Sequence, residues 1–230
     1  MTGARPELGR IEDARVTHLE IWDAVVNGAS LFAQRDDEAY PAHVAEVAGR
    51  EAEARGVTTV YLGGGDPRLV VVARELRRLG LDARVAPDPV FVAAPGALAR
   101  IGASRAPLLV DAGQTSFKVV TASRRVRVAR EPSWQGERGF LAALGRVVAE
   151  AEAHDAAVVG LPCQIEDSAG LASSYFGRLD LREVAALFRV PVWIASDAEL
   201  AAHSFLALHP REAALVLTLG HGVGGAVVQP

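Results

Sequence analysis

Cysteine and lysine are both scarce in this chain of 230 residues. A single cysteine, Cys163, excludes an internal disulfide and is the usage expected of a reducing cytoplasm. Lysine is nearly absent, so arginine carries the positive charge. The balance is still acidic, at −4 with a pI of about 5.9, which leaves no basic surplus for nucleic acid or an anionic membrane. No helix-turn-helix pattern or basic segment is present, which disfavours a DNA-binding repressor. No apolar run reaches the roughly 18–20 residues of a membrane helix. The opening MTGARPELGRIEDARV lacks the apolar region of a signal peptide, so a cytoplasmic protein is expected. Low-complexity linkers and short tandem repeats are also missing. One cysteine and scattered histidines make no zinc site.

What is present is a core and a regular alternation. Half the residues are apolar and 23% are charged, the mixture of a well-packed globular chain. Helical spacing is read over 18–34, 42–55, 68–80, 137–153 and 180–188, with a small-residue helix within 89–102 and a last helix from Asp197. The helix at 18–34 is apolar enough to serve as core or as a homodimer interface. Strands are read at 58–65, 82–86, 156–163, 190–196 and 213–220, with a three-strand meander over 107–132 and a polar loop over 164–178. Asp66 and Pro67 stand where a cap and a first helical residue belong. The fold class is α/β.

Two strand–turn–strand units share one design. LLVDAGQTSFKVV, 108–120, offers Asp111 for a cation through water, Gly113, Gln114 and Thr115 in a tight turn, and Lys118 as a charge. LVLTLGHGVGGAVV, 215–228, places Gly220, His221, Gly222 and Gly224 in its turn. Glycines there are expected to reach positive φ and approach an anion closely. Taken alone, the first pattern equally fits an ordinary β-turn and the second a tight hairpin. His221 is either a phosphate donor or an exposed turn residue. Further along, LGGGD brings Gly63, Gly64 and Gly65 to a strand end, and Gly96 lies in a second small-residue segment. Asp197 follows a buried strand, at the start of a helix, where a carboxylate faces the carboxyl edge of an open sheet. An isolated Asp there also fits an N-cap. Cys163 follows Pro162 at a strand end and is read as a small buried residue.

Together these segments resemble the phosphate-1, phosphate-2, adenosine and catalytic-aspartate motifs of the actin-like ATPase superfamily. The resemblance is strongest to the ROK group of sugar kinases and repressors. DAGQTSFK stands for the DxGGTK-like turn, GLPC at 160–163 for GxPG, Ser196-Asp197-Ala198 for (N)DA, GHGVGGA for GTGxGGG, and GGGD with PGAL for the adenosine segment. The order differs from the family's, since the adenosine segment comes first. A circular permutation accounts for this, with PELGRI resembling the family's GELGH segment moved to the front and Leu19-Glu20 the residues after its zinc loop.

The resemblance implies two RNase H-like lobes with a nucleotide cleft between them. One is expected from 1–103 plus 209–230, the other from 104–208. It implies ATP and Mg²⁺ as cofactors and phosphoryl transfer to a small-molecule hydroxyl, with Asp111 holding Mg²⁺ and Asp197 as general base. Glu7, Arg10 and Ser196 fall at substrate positions. Departures are Gln114 for glycine, His221 for threonine, Ser196 for asparagine, Arg10 for histidine, and no zinc loop. Arg10 would suit an anionic substrate, or belongs to a solvated charged segment. An ATP-binding or ATP-hydrolysing module without an acceptor, and a sugar sensor that catalyses nothing, are the alternative functions. The permutation also predicts that Met1 and Pro230 are neighbours.

Overall fold

The computed structural model describes residues 7–21, 23–102, 104–166, 169–172 and 176–230. Met1, and with it the expectation about the two termini, lies outside them, as does Trp22 of the expected first helix. In chain order the strands are β1 (Leu8–Arg10), β2 (Val16–Leu19), β3 (Val25–Val26), β4 (Ala29–Ser30), β5 (Thr59–Gly64), β6 (Asp82–Val85), β7 (Pro107–Ala112) and β8 (Ser116–Val120). They continue with β9 (Arg125–Ala129), β10 (Ala156–Leu161), β11 (Gln164–Glu166), β12 (Ala169–Ala172), β13 (Gly177–Asp180), β14 (Val192–Ser196), β15 (Ala214–Leu219) and β16 (Val223–Val228). The helices are α1 (Tyr40–Ala54), α2 (Leu69–Arg78), α3 (Ala94–Ile101), α4 (Gly136–Glu150), α5 (Leu181–Ala185) and α6 (Asp197–Leu208). The chain is mixed α/β. No helix among the described residues is long and apolar enough to cross a membrane.

Two compact units divide the chain: 1–12 with 97–197, and 13–96 with 198–230. In the first, six strands run in the order β1-β14-β10-β7-β8-β9, with β1, β14, β10 and β7 parallel and β8 and β9 antiparallel. One face is filled by Leu108, Val110, Phe117 and Val159 packed with Phe140 and Leu144 of α4 and Val184 of α5. Asp180 caps α5 by accepting from the N–H of Arg182 at 2.8 Å.

In the second unit the order is β2-β16-β15-β5-β6, with β6, β5 and β15 parallel and β16 and β2 antiparallel. Leu215, Leu217 and Leu219 face Val44 of α1 and Leu76 of α2, while Val216 and Ala226 face Phe205 of α6. Helix α2 buries Leu69, Val72, Ala73 and Leu76, the spacing of one helical stripe.

The two sheets share a pattern: a run of parallel strands, four in the first and three in the second, then a hairpin partner, then one more strand paired antiparallel to it. In the first unit the hairpin β7–β8 and then β9 precede β10 and β14 in the chain. In the second, the hairpin β15–β16 follows β2, β5 and β6. Val228 of β16 pairs with Val16 of β2, and the N–H of Gln229 donates to the carbonyl of Arg15 at 2.9 Å.

Three readings are corrected. Residues 18–34 are not a helix. His18 and Leu19 pair with β16, and Asn27-Gly28, with φ of 52° and 81°, closes the β3–β4 hairpin. An Asn-Gly pair meets the left-handed requirement of a two-residue turn, and that local signal overrides the apolar spacing. Residues 164–178 are not all loop, since β11, β12 and β13 form an antiparallel sheet carried by buried Ile165 and Leu179. Residues 7–12 fall with the first unit rather than with 13–96. The N–H of Val192 donates to the carbonyl of Glu7 at 2.9 Å, and that of Ile11 to Ile194 at 3.1 Å, so β14 captures this segment as an added strand.

Gly64 is the position where backbone geometry is least forgiving. Its φ is 109°, and a Cβ there would overlap the carbonyl of Leu219. Gly64→Ala is expected to destabilise the protein by about 3 kcal/mol or more. Gly28→Ala, at positive φ but with nothing within 4 Å of the added Cβ, costs about 1 kcal/mol. Urea unfolding of both variants checks the ranking.

Candidate functional site

The first turn is built by register. Asp111, fifth residue of β7, lies beside Gly160 of β10 and opposite Lys118 of β8, and Lys118 lies opposite Arg127 of β9. Asp111 is 4% exposed, and its Oδ2 accepts from Lys118 Nζ at 2.9 Å. Its Oδ1 is buried with no hydrogen-bond partner among the described residues. Burial works against the Lys118 ammonium. The charge and hydrogen bond of Asp111, helped by the field of Asp197, outweigh it and hold Lys118 above the ordinary lysine range.

Lys118 is the only lysine in the chain. Its compact ammonium fits where a Cβ on Gly113 would stand 3.2 Å from Nζ and 3.1 Å from the carbonyl of Ser116. The turn is braced from β9 and just beyond it: Arg130 donates to the carbonyl of Gln114 at 2.9 Å, its N–H to that of Thr115 at 3.0 Å, and Arg127 Nε to Ser116 Oγ at 3.0 Å.

Asp197 is the first residue of α6, directly after β14. Strands β14, β10 and β7 are parallel neighbours, so Asp197 and Asp111 share one carboxyl edge, about two strand spacings or ~10 Å apart across the sheet. Ser196 is 1% exposed. Glu7 is exposed and sits beside Val192, at the opposite end of β14 from Asp197. Arg10 pairs with Ile194, and its guanidinium donates to the carbonyl of Ile165 at 3.0 Å and meets Glu12 at 3.4 Å. Register thus brings Asp111, Lys118 and Asp197 to one edge, but not Glu7.

In the second unit, Gly220, His221 and Gly222 connect β15 to β16, with Gly224 in β16 opposite Thr218. Arg35 Nη1 lies 2.9 Å from His221 Nδ1. A guanidinium can only donate, so Nδ1 is the acceptor and Nε2 carries the ring proton. Phe32 packs edge-on against this ring at 5.8 Å. Asp66 joins the same neighbourhood, its N–H donating to the carbonyl of Leu219 at 3.1 Å.

Asp66 does not cap α2, which begins at Leu69. It accepts from the N–H of Arg68 at 2.8 Å and pairs with both arms of that guanidinium at 3.0 and 2.7 Å. Burial opposes its charge, but the bonds from Arg68 prevail and hold the carboxyl below the ordinary range. Arg68 also donates to the carbonyl of Arg35 at 2.7 Å and lies 4.4 Å over the Tyr40 ring. Burial pushes the Tyr40 hydroxyl up to about 12.

The expected glycines serve space more than conformation. Gly113, Gly220 and Gly222 do not take positive φ; Gly64 does. A Cβ on Gly63 would stand 2.5 Å from Val92, and one on Gly96 would run into the backbone of α6 at His203 and Ser204. The N–H of Gly96 donates to Ser204 Oγ at 2.7 Å. Close packing within the unit therefore accounts for Gly63 and Gly96. Gly65 follows Gly64 in the loop to Asp66. Cys163 is buried and not in a disulfide.

The sequence reading missed Arg35, Arg68, Arg127 and Arg130, because nothing local separates them from the many other arginines. It also passed over the signal in Lys118, a lone lysine in an arginine-using chain.

No group of three or more histidine, cysteine or acidic side chains among the described residues could hold a metal. The single unpartnered oxygen of Asp111 fits a Mg²⁺ that keeps its waters and arrives with phosphates, not a caged resident ion.

No family model matches the chain, and no curated protein matches it. Among solved structures, a ROK family protein from Streptococcus pneumoniae TIGR4, crystallised in complex with sucrose, is similar over 54% of this chain at 21% identity and a TM-score of 0.40. The match spans 45% of that protein's chain.

Lys118→Met leaves the Asp111 carboxylate buried and uncompensated. A loss of about 3–5 kcal/mol is expected, much of it recovered when Asp111→Asn is added; a double-mutant cycle in urea measures both. For Asp66 the folded pKa is depressed. Its contribution is therefore complete above pH 3.8, the ordinary aspartate value, and is lost as pH falls through the lower folded value. Arg68→Met is expected to cost about 1.5–3 kcal/mol at pH 7 and to flatten the acid limb of stability against pH.

Proposed function

We propose that this chain is a circularly permuted protein of the actin-like ATPase type, similar to the ROK sugar kinases, that transfers a phosphoryl group from Mg-ATP to a small-molecule hydroxyl. The observation that carries the proposal is the buried Asp111–Lys118 pair, with Asp111 Oδ1 unpartnered and Asp197 on the same carboxyl edge. The permuted arrangement is supported by the common strand pattern of the two sheets, which differ in the chain order of the hairpin and in the added edge strand β1 of the first. The motif order in the sequence points the same way.

Phosphoryl transfer needs positioning and charge neutralisation more than covalent chemistry. Lys118 supplies a positive charge beside the first turn, and the backbone N–H groups of 113–115 would grip the phosphates. His221 stands in the second turn with its Nδ1 facing the Arg35 guanidinium at 2.9 Å. Asp111 would hold Mg²⁺ through water, and the ion would neutralise phosphate charge. Asp197 would accept the proton of the attacking hydroxyl.

One observation favours a second reading, an ATP-binding or ATP-hydrolysing module or a non-catalytic sugar sensor. The residues matched to sugar contacts are not assembled: Ser196 is buried, Glu7 lies at the other end of β14, and Arg10 is engaged with Ile165 and Glu12.

Thermal unfolding with and without Mg-ATP decides whether a nucleotide binds. Saturation at 100 times Kd adds about 2.7 kcal/mol, and no shift removes every nucleotide reading. With sugars and polyols as acceptors in an ADP-release assay, Asp197→Asn is expected to lower turnover by about 10²–10⁴-fold while Mg-ATP binding persists. Full transfer by that variant would end the general-base role.

A further inference from the structure

The connection between β7 and β8, residues 113–115, is held from one side. Among the described residues two hydrogen bonds reach its backbone, and Arg130 donates both. Its Nη1 bonds to the carbonyl of Gln114 at 2.9 Å and its N–H to the carbonyl of Thr115 at 3.0 Å. Arg130 directly follows β9, whose last residue, Ala129, pairs with Ser116 of β8, so the ladder delivers it to the turn.

A trans peptide turns its C=O and N–H in opposite directions. With the carbonyl of Gln114 drawn to Arg130, the N–H of Thr115 in the same peptide points away from that guanidinium. The N–H groups of Gly113, Gln114 and Thr115 have no hydrogen-bond partner among the described residues. Gly113 is buried, where a backbone N–H is rarely left unpaired. Successive N–H groups in a turn make a concavity for an anion. Rotation of the Gln114–Thr115 peptide, the change that separates type I from type II turns, would set a carbonyl there instead. The Arg130 guanidinium opposes that rotation. Lys118 does not share this task, since its ammonium is paired with Asp111.

We infer that Arg130 is a positioning residue of the first turn, acting through the Gln114 carbonyl to keep the Thr115 N–H turned to a phosphate of the bound nucleotide. It serves the main chain and need not touch the ligand. This role lies within the first unit and rests on the nucleotide reading above.

Arg130→Met removes the guanidinium and keeps the backbone N–H bond. The melting temperature of the free protein is expected to fall by a few degrees at most, as for one half-exposed hydrogen bond. Affinity for Mg-ATP, measured by calorimetry, is expected to fall about 10-fold or more. Arg130→Lys can still donate to the carbonyl and is expected to bind within a few-fold of wild type. Should Arg130→Met fail to fold, Arg130→Gln, with a shorter neutral side chain, takes its place. Mg-ATP binding by Arg130→Met equal to that of wild type overturns the inference alone. So does Arg130→Lys binding no better than Arg130→Met, which would mark a direct guanidinium contact with phosphate. Absence of Mg-ATP binding by the wild type overturns both the inference and the nucleotide reading.

Discussion

Strands β7 and β15 are almost wholly buried, and a buried strand must have both its edges paired. Each N–H and C=O left without a partner would cost about as much as a lost hydrogen bond. Each strand meets this demand the same way, with a parallel neighbour on one side and its own hairpin partner on the other. The rest of the architecture follows. The parallel side needs helical crossovers, which supply α4 and α5 in one unit and α1 and α2 in the other. The hairpin side needs only a short turn. The carboxyl end of each central strand is therefore where a tight turn and the strand-to-helix junctions open on one edge, the usual place for a ligand in such sheets.

Polar chemistry is concentrated at those ends and is paired with care. Asp111 is too deeply placed to remain charged alone, and Lys118 answers it from the facing strand. A lysine suits that corner because Gly113 leaves room for an ammonium. At the second turn the same economy takes another form: Arg35 orients His221, Arg68 secures the carbonyl of Arg35, and Asp66 secures Arg68. Arginine is the apt residue there, since its planar fork can bind a carboxylate with two arms and still stack on Tyr40.

The positions that the resemblance matches to substrate and those it matches to phosphate are built differently. Residues matched by resemblance to a sugar site are separated by the strand they flank, whereas the turns matched to phosphate sites are braced by several side chains each.

Sequence alone determined the α/β class, the strands at 58–65, 156–163, 190–196 and 213–220, the helices beginning near 42, 68 and 137, and the two turns as a related pair. These are long periodic or β-branched runs bounded by glycine and proline, so the local signal and the tertiary outcome agree. It also named Asp111, Lys118 and Asp197, but as motif members and not as neighbours. Only tertiary structure decided the rest. Residues 16–19 became a strand because β16 needed an edge partner, and 25–30 became a hairpin because Asn27-Gly28 supplied a tight turn. Residues 8–10 joined the first sheet because β14 had an open edge. Gly63 and Gly96 proved to be packing glycines because Val92 and α6 press against them. The meeting of Asp111 with Lys118 across one ladder, and of Arg35 with His221 from distant segments, is likewise a matter of register and topology. Spacing along a chain does not encode these, because hydrogen-bonded pairing between strands far apart in sequence is settled only when the whole sheet forms.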